Sequence, residues 1–259
     1  MKTVLETLAV GFAMFSAIPV PHPEWNEKNM RYALCVFPLV GVVIGLLWWL
    51  WAAVCGALAF PALLRAAGFC LLPVLVTGGL HMDGFADTSD ALASFASPER
   101  RQEILKDSHC GAFAIIRLCT YFVGFFALCG SVIPEEKALL CMALGFVLSR
   151  SVAGCAIATL PLAKHTGLAH TFATSAHKVQ VRWMLGVVSL LTAAGLVVLG
   201  GVTGVVMILA AALVLWHYAW TAWTKFGGIN GDLSGWFVQR SEFWMLAALT
   251  VCQYGEALV

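Results

Sequence analysis

Asp83, Asp87 and Asp90 stand at i, i+4 and i+7 in the run Thr77-Gly78-Gly79-Leu80-His81-Met82-Asp83-Gly84-Phe85-Ala86-Asp87-Thr88-Ser89-Asp90-Ala91. On a helix advancing about 100° per residue, the three side chains fall within about 60° of one another and form one acidic stripe. Carboxylates about 6 Å apart repel by roughly 2–3 kcal/mol per pair at an effective dielectric of about 20, so the stripe calls for a cation. An all-oxygen donor set suits Mg2+ or Mn2+, and Mg2+ commonly takes one or two carboxylates together with waters and a substrate phosphate. The plain alternative is a solvated acidic face. The Gly78-Gly79 break, Gly84 inside the stripe and the scarcity of charge elsewhere favour the metal reading.

Two further polar segments bear on the same chemistry. Glu99, Arg100, Arg101, Glu103 and Lys106 have the i,i+3 and i,i+4 spacing of an exposed helix. Asp107 and Ser108 come just before Gly111 and the next apolar run, where an acid could complete a metal shell and Lys106 could meet a phosphate. In Lys225-Phe226-Gly227-Gly228-Ile229-Asn230-Gly231-Asp232-Leu233-Ser234-Gly235, four glycines surround one aspartate. Such a loop either cradles phosphate with its backbone N–H groups or is a plain turn, and the residues leave both readings open.

Arg117 and Arg150 interrupt apolar runs, at about 2.5–3.5 kcal/mol each on the insertion scale if placed at mid-membrane. Each therefore binds an anionic group or pairs with a buried acid or carbonyl. His81, two residues before the first aspartate, is a candidate for substrate binding or proton transfer, or else a packed imidazole. His165, His170 and His177 lack metal-ligand spacing and read as surface residues. His217 sits among Trp216, Tyr218, Trp220 and Trp223, the pattern of an interfacial aromatic belt. The cysteines, Cys110 apart, lie in apolar segments without a CxxC pair and read as small buried hydrophobes. Cys110 beside His109 does not make a zinc site.

The elements that must position these residues are set by composition. Of 259 residues, 61% are apolar and 11% charged, with a mean hydropathy of +0.88. A soluble domain carries about 25% charged residues, so an ordinary soluble enzyme is excluded. A net charge of +1 also argues against a nucleic-acid partner. Residues 32–64 and 183–224 hold no Asp, Glu, Lys or Arg, and 7–20, 66–80, 111–133, 138–160 and 243–258 are shorter apolar candidates. These continuous runs predict an all-α, polytopic integral membrane helix bundle with six to eight apolar segments, in one domain spanning 1–259. The partner is the lipid bilayer, and self-association is left open.

If all the segments cross, loops 21–31, 81–110, 161–182 and 224–242 share one side. Ten Lys and Arg lie there, against Lys2, Arg65 and Lys137 on the other, which is the bias expected of a cytoplasmic face. The apolar N-terminal run superficially resembles a secretory signal, but Glu6 interrupts it and the segment is expected to be retained.

The segment Thr77 to Ala91 resembles the signature of the cobalamin synthase family, the adenosylcobinamide-GDP ribazoletransferases, whose pattern reads TGGLHxDGxADxxD, then KDSxxGxxG and later GGxTGDxxGA. Lys106-Asp107-Ser108-His109-Cys110-Gly111 and Gly227-Gly228-Ile229-Asn230-Gly231-Asp232 follow in the same order, as do the early Ile18-Pro19-Val20-Pro21 and Phe37-Pro38-Leu39-Val40-Gly41. Asn230 stands where the family usually has Thr, and Trp236 where it has a small residue. The resemblance implies an inner-membrane enzyme that joins adenosylcobinamide-GDP to α-ribazole or its 5′-phosphate and releases GMP.

On that reading Asp83, Asp87, Asp90 and Asp232 hold Mg2+, while Asp83, Asp107 and His81 are catalytic. Lys106, Ser108, Gly228, Asn230, Arg117 and Arg150 bind substrate. A CDP-alcohol phosphotransferase, which would show Ala-Arg after its Asp-Gly where this chain has Ala86-Asp87, is the nearest enzyme alternative. A cation transporter is the alternative from another class; it would place its carboxylates inside spans rather than at their ends.

Overall fold

The computed structural model describes residues 2–21, 23–107, 109–163 and 177–256. Among the described residues eleven α-helices follow in order: α1 (Lys2–Phe15), α2 (Glu27–Met30), α3 (Phe37–Ala57), α4 (Ala62–Thr77), α5 (Leu80–Ala93), α6 (Pro98–Ile104), α7 (Ala112–Ser131), α8 (Glu136–Thr159), α9 (Lys178–Gly200), α10 (Val202–Thr221) and α11 (Gly231–Glu256). A 3-10 turn, Ala33–Val36, leads into α3, and a π turn, Ala222–Phe226, extends α10. Among the described residues there is no strand beyond one bridge between Leu162 and Ile229. The all-α bundle expected from composition is what forms.

Among the described residues five helices are long and apolar enough to cross a membrane: α3 with its 3-10 turn, α7, α8, α9, and α10 with its π turn. A sixth is gained if α4 and α5, bent by 93° at Gly78-Gly79, count as one broken span. Helix α11 has 26 residues, about 39 Å at 1.5 Å per residue. Asp232, Arg240, Glu242 and Glu256 keep it from reading as a span. Helix α1 has 14 residues, about 21 Å, and packs on α2, the 3-10 turn and the start of α3 rather than along a neighbouring span.

In lipid, helices are held by close packing and internal polar contacts more than by water exclusion. Gly41 and Gly45, four residues apart on α3, let it approach α8. A Cβ on Gly45 would come within 2.6 Å of the Ala143 Cβ, and one on Gly41 would meet the Phe146 carbonyl. Deeper still, Arg150 Nη1 donates to Glu242 Oε1 at 2.6 Å, and Ser149 Oγ donates to the same oxygen at 3.1 Å. Both charged groups are buried, so α8 and α11 are locked by an ion pair that each alone could not place in the membrane.

The helices share two ends. At one end the α7–α8 turn, the α9–α10 turn and the end of α11 are tied together. Tyr254 Oη donates to Ser131 O at 3.1 Å, Gln253 Nε2 donates to Ile133 O at 2.8 Å, and Thr203 Oγ1 donates to Glu256 Oε1 at 3.1 Å. The opposite end gathers the long polar connections, and α5 crosses it against α11 and α7.

Candidate active site

Gly78 and Gly79 adopt φ of 63° and 81°, a left-handed pair that stops α4 and turns the chain into α5. The turned helix presents Asp83 and Asp87 to a cleft of about 860 Å³. Lys106, Asp107, His109 and Cys110 form its other wall, with Gly78, Gly79 and Leu118 completing it. The acidic stripe and the following loop, read separately in the sequence, therefore face one space. His109 Nδ1 lies 2.6 Å from Asp107 Oδ1, and the His109 amide also donates to that oxygen at 3.0 Å. Hydrogen bonding to the His109 ring and amide holds the Asp107 carboxyl below the usual carboxylate range.

Asp232 reaches this site through a missing side chain. A Cβ on Gly84 would stand 2.6 Å from the Asp232 carbonyl oxygen and 2.8 Å from its Cα, so glycine next to Asp83 is what lets the first turn of α11 close on α5. Asp83, Asp90 and Asp232 all lie within electrostatic reach of Asp87. Among the described residues, no three His, Cys, Asp or Glu side chains stand close enough to hold a metal ion by themselves. The donors are hard oxygens around an open cleft with a lysine on its wall. That chemistry fits a Mg2+ ion completed by waters and substrate phosphate oxygens.

The glycine-rich third loop is spent on structure. The Gly228 amide donates to Ala222 O at 3.0 Å, the Ile229 amide to Pro161 O at 2.9 Å, and the Ala163 amide to Ile229 O at 2.9 Å. At φ 149° Gly228 lies so close to the 161–163 segment that a Cβ would meet Ala163 N at 2.6 Å. Asn230 Oδ1 accepts from the Leu233 amide at 2.8 Å and caps α11. Helix α6 braces the loop from the other side, Arg101 and Gln102 donating to the carbonyls of Lys225 and Phe226 at 3.3 and 2.8 Å. The loop thus sets the position of Asp232, with the Gly228 and Ile229 amides already bonded within the protein.

A family model described as cobalamin-5-phosphate synthase matches residues 7–250, with the cleft and all three motifs inside the match. The chain belongs to the cobalamin-5-phosphate synthase family. A Lachnoclostridium phytofermentans protein named adenosylcobinamide-GDP ribazoletransferase is 41% identical over 95% of this chain and 93% of its own length. Relatives of the same name from Geobacillus thermodenitrificans (34% identity, 93% of this chain, 94% of theirs) and Clostridium perfringens strain SM101 (31%, 94% and 96%) cover it as fully. No solved structure matches the chain.

Several expected residues sit away from the cleft wall. The His81 ring is buried and stacks on Phe37 with ring centres 5.2 Å apart, its Nδ1 lacking a hydrogen-bond partner among the described residues. Asp90 faces the start of α7, where the Ala114 amide donates to its Oδ1 at 3.4 Å. A carboxylate there meets the positive end of the helix dipole. Arg150 has Glu242 as its partner, the second of the two readings its position allowed. Gly228 and Asn230 hold the loop as described. Arg117 is exposed on α7 beside Leu118 of the cleft. Ser108, His165 and His170 lie outside the described residues. Hydropathy reasoning missed Glu242 as a buried ion-pair partner, because its last apolar segment began one residue later, at 243.

Proposed function

We propose that this protein transfers the adenosylcobinamide phosphoryl group from adenosylcobinamide-GDP to α-ribazole or its 5′-phosphate, releasing GMP. The observation that carries this reading is the convergence of Asp83, Asp87, Lys106 and Asp107 on one cleft, with Asp232 brought up against Gly84. Asp83, Asp87 and Asp232 hold Mg2+, with Asp90 behind them steadying the start of α7. The metal supplies charge neutralisation on the pyrophosphate, which is most of what phosphoryl transfer asks of an enzyme.

Lys106 binds the diphosphate as a point charge and offsets the charge that gathers on the departing GMP. Asp107, kept ionised by its hydrogen bonds from His109, accepts the proton of the ribazole hydroxyl. The hydroxyl oxygen forms a bond to the phosphorus on the cobinamide side. The bond from that phosphorus to the bridging oxygen breaks, and GMP takes the electron pair. The Lys and Arg excess of the long polar loops supports a cytoplasmic cleft at the inner membrane, the side on which nucleotide substrates occur.

The test is GMP release from adenosylcobinamide-GDP by purified protein in lipid, with and without α-ribazole and Mg2+. Release that requires both, and falls by about 10²–10³ in Asp83→Asn, supports the reading. Full activity in a folded Asp83→Asn protein, or release without α-ribazole, rejects it.

A further inference from the structure

Arg240 sits nine residues into α11, roughly 13 Å from its start. It is half-buried, and no ion pair involving it occurs among the described residues. Its guanidinium lies 4.5 Å over the Trp236 ring, and its Nη1 donates to His217 Nδ1 at 2.6 Å, which leaves that imidazole nitrogen as the acceptor. Helix α7 meets α11 at this level, where Tyr121 Oη donates to Gln239 Oε1 at 2.7 Å. Arg117, one turn before Tyr121, is exposed and within electrostatic reach of Arg240. It too has no acidic partner among the described residues.

The contrast with Arg150 is direct. That arginine, at similar depth in the bundle, has Glu242. Two neighbouring guanidiniums without an acid between them leave positive charge and donors for an anion from outside the chain, even with His217 and Trp236 holding Arg240. The surroundings say which. Trp216, Trp220 and Trp223 are exposed around the same end of α10, as tryptophans at a headgroup boundary are. Lys225 lies 5.6 Å over the Trp220 ring, adding a third cation at that level.

We propose that Arg117 and Arg240, backed by Trp236 and His217, form a binding site for the phosphate of an anionic phospholipid headgroup. The two guanidiniums offer planar donors to phosphodiester oxygens, and the tryptophans take the glycerol and upper acyl region. Arg117, His217, Trp236 and Arg240 are not part of the cleft lining, so the lipid anchors the α7–α11 seam rather than entering the reaction.

Native mass spectrometry of the purified full chain tests this, with phosphatidylglycerol and phosphatidylcholine titrated in parallel. The expected result is one retained phosphatidylglycerol per chain and no retained phosphatidylcholine. Binding should weaken by about tenfold or more in the Arg117→Gln/Arg240→Gln double variant, and Arg240→Lys should fall between the two. A second readout guards against a misfolded variant: phosphatidylglycerol should raise the melting temperature of the unaltered protein. Equal retention of both lipids, undiminished binding in a folded double variant, or displacement of the lipid by soluble pyrophosphate would each overturn the proposal. The last would assign the arginines to the substrate instead.

Discussion

At Gly78-Gly79 and Gly84 the absent side chains turn α5 across the bundle and admit the Asp232 backbone, and the result is a cleft with the carboxylates of Asp83, Asp87 and Asp107 on its wall. At Gly227-Gly228 the absent side chains admit the 161–163 segment, and the Gly228 and Ile229 amides are taken by the carbonyls of Ala222 and Pro161. Both segments carry glycines beside aspartate. What separates them is whether the approaching backbone leaves hydrogen-bonding groups pointing into open space. In a membrane enzyme that question is decided by helix packing, since a spare amide inside the bundle has no water to turn to.

Substitutions at these glycines should pull the two regions apart. Gly84→Val drives a side chain into the Asp232 backbone, and GMP release is expected to fall by about a hundredfold or more, with helix content by circular dichroism unchanged. Retained activity would mean that the placement of Asp232 is not needed. Gly228→Ala meets both a backbone contact and a left-handed φ, so its expected effect is on stability, on the order of 1–3 kcal/mol, read as a lower melting temperature in detergent. Loss of activity without loss of stability would return the third loop to substrate binding.

Asn230→Ala removes the α11 cap at about 1 kcal/mol, and KM for adenosylcobinamide-GDP should stay as it was. A raised KM at unchanged stability would show Asn230 touching substrate. The smallest effect is expected on the other wall of the cleft. His109→Ala takes away the hydrogen bonds from the ring that hold the Asp107 carboxyl low, so that carboxyl returns toward its ordinary value and is protonated at a higher pH. The acid limb of the pH–rate profile should then move upward. No movement would remove Asp107 from the proton-accepting role.

The sequence displayed the α5 stripe well because it is local. Asp83 and Asp87 share a helix face by their spacing, and the Gly-Gly pair announces the bend. Lys106 and Asp107 were found by their place between two apolar runs. Contacts made at long range were not legible. Arg150 and Glu242 are 92 residues apart, and Arg150 reads as an interruption of apolar sequence while Glu242 reads as the end of a polar loop. Reading Glu242 as a loop residue also put the start of the last span at 243, whereas α11 begins at Gly231 and carries Asp232, Arg240 and Glu242 along one continuous helix. The third loop was readable as a loop and ambiguous in use, because glycine spacing does not say what approaches. Gly41 and Gly45 were a small-residue seam visible in the sequence and were passed over in favour of the charge pattern.

Gly84 and Gly235 set backbone against backbone where α5 meets α11, a Cβ on Gly235 falling 3.0 Å from the His81 carbonyl oxygen. Adhesion of that kind depends on how well two surfaces fit and owes little to the solvent around them. Extraction from bilayer into detergent should therefore leave the carboxylate cleft assembled even where the lipid phosphate at Arg117 and Arg240 has not been resupplied. A preparation that turns over yet melts early would be the mark of a protein that has kept its chemistry and lost its mooring.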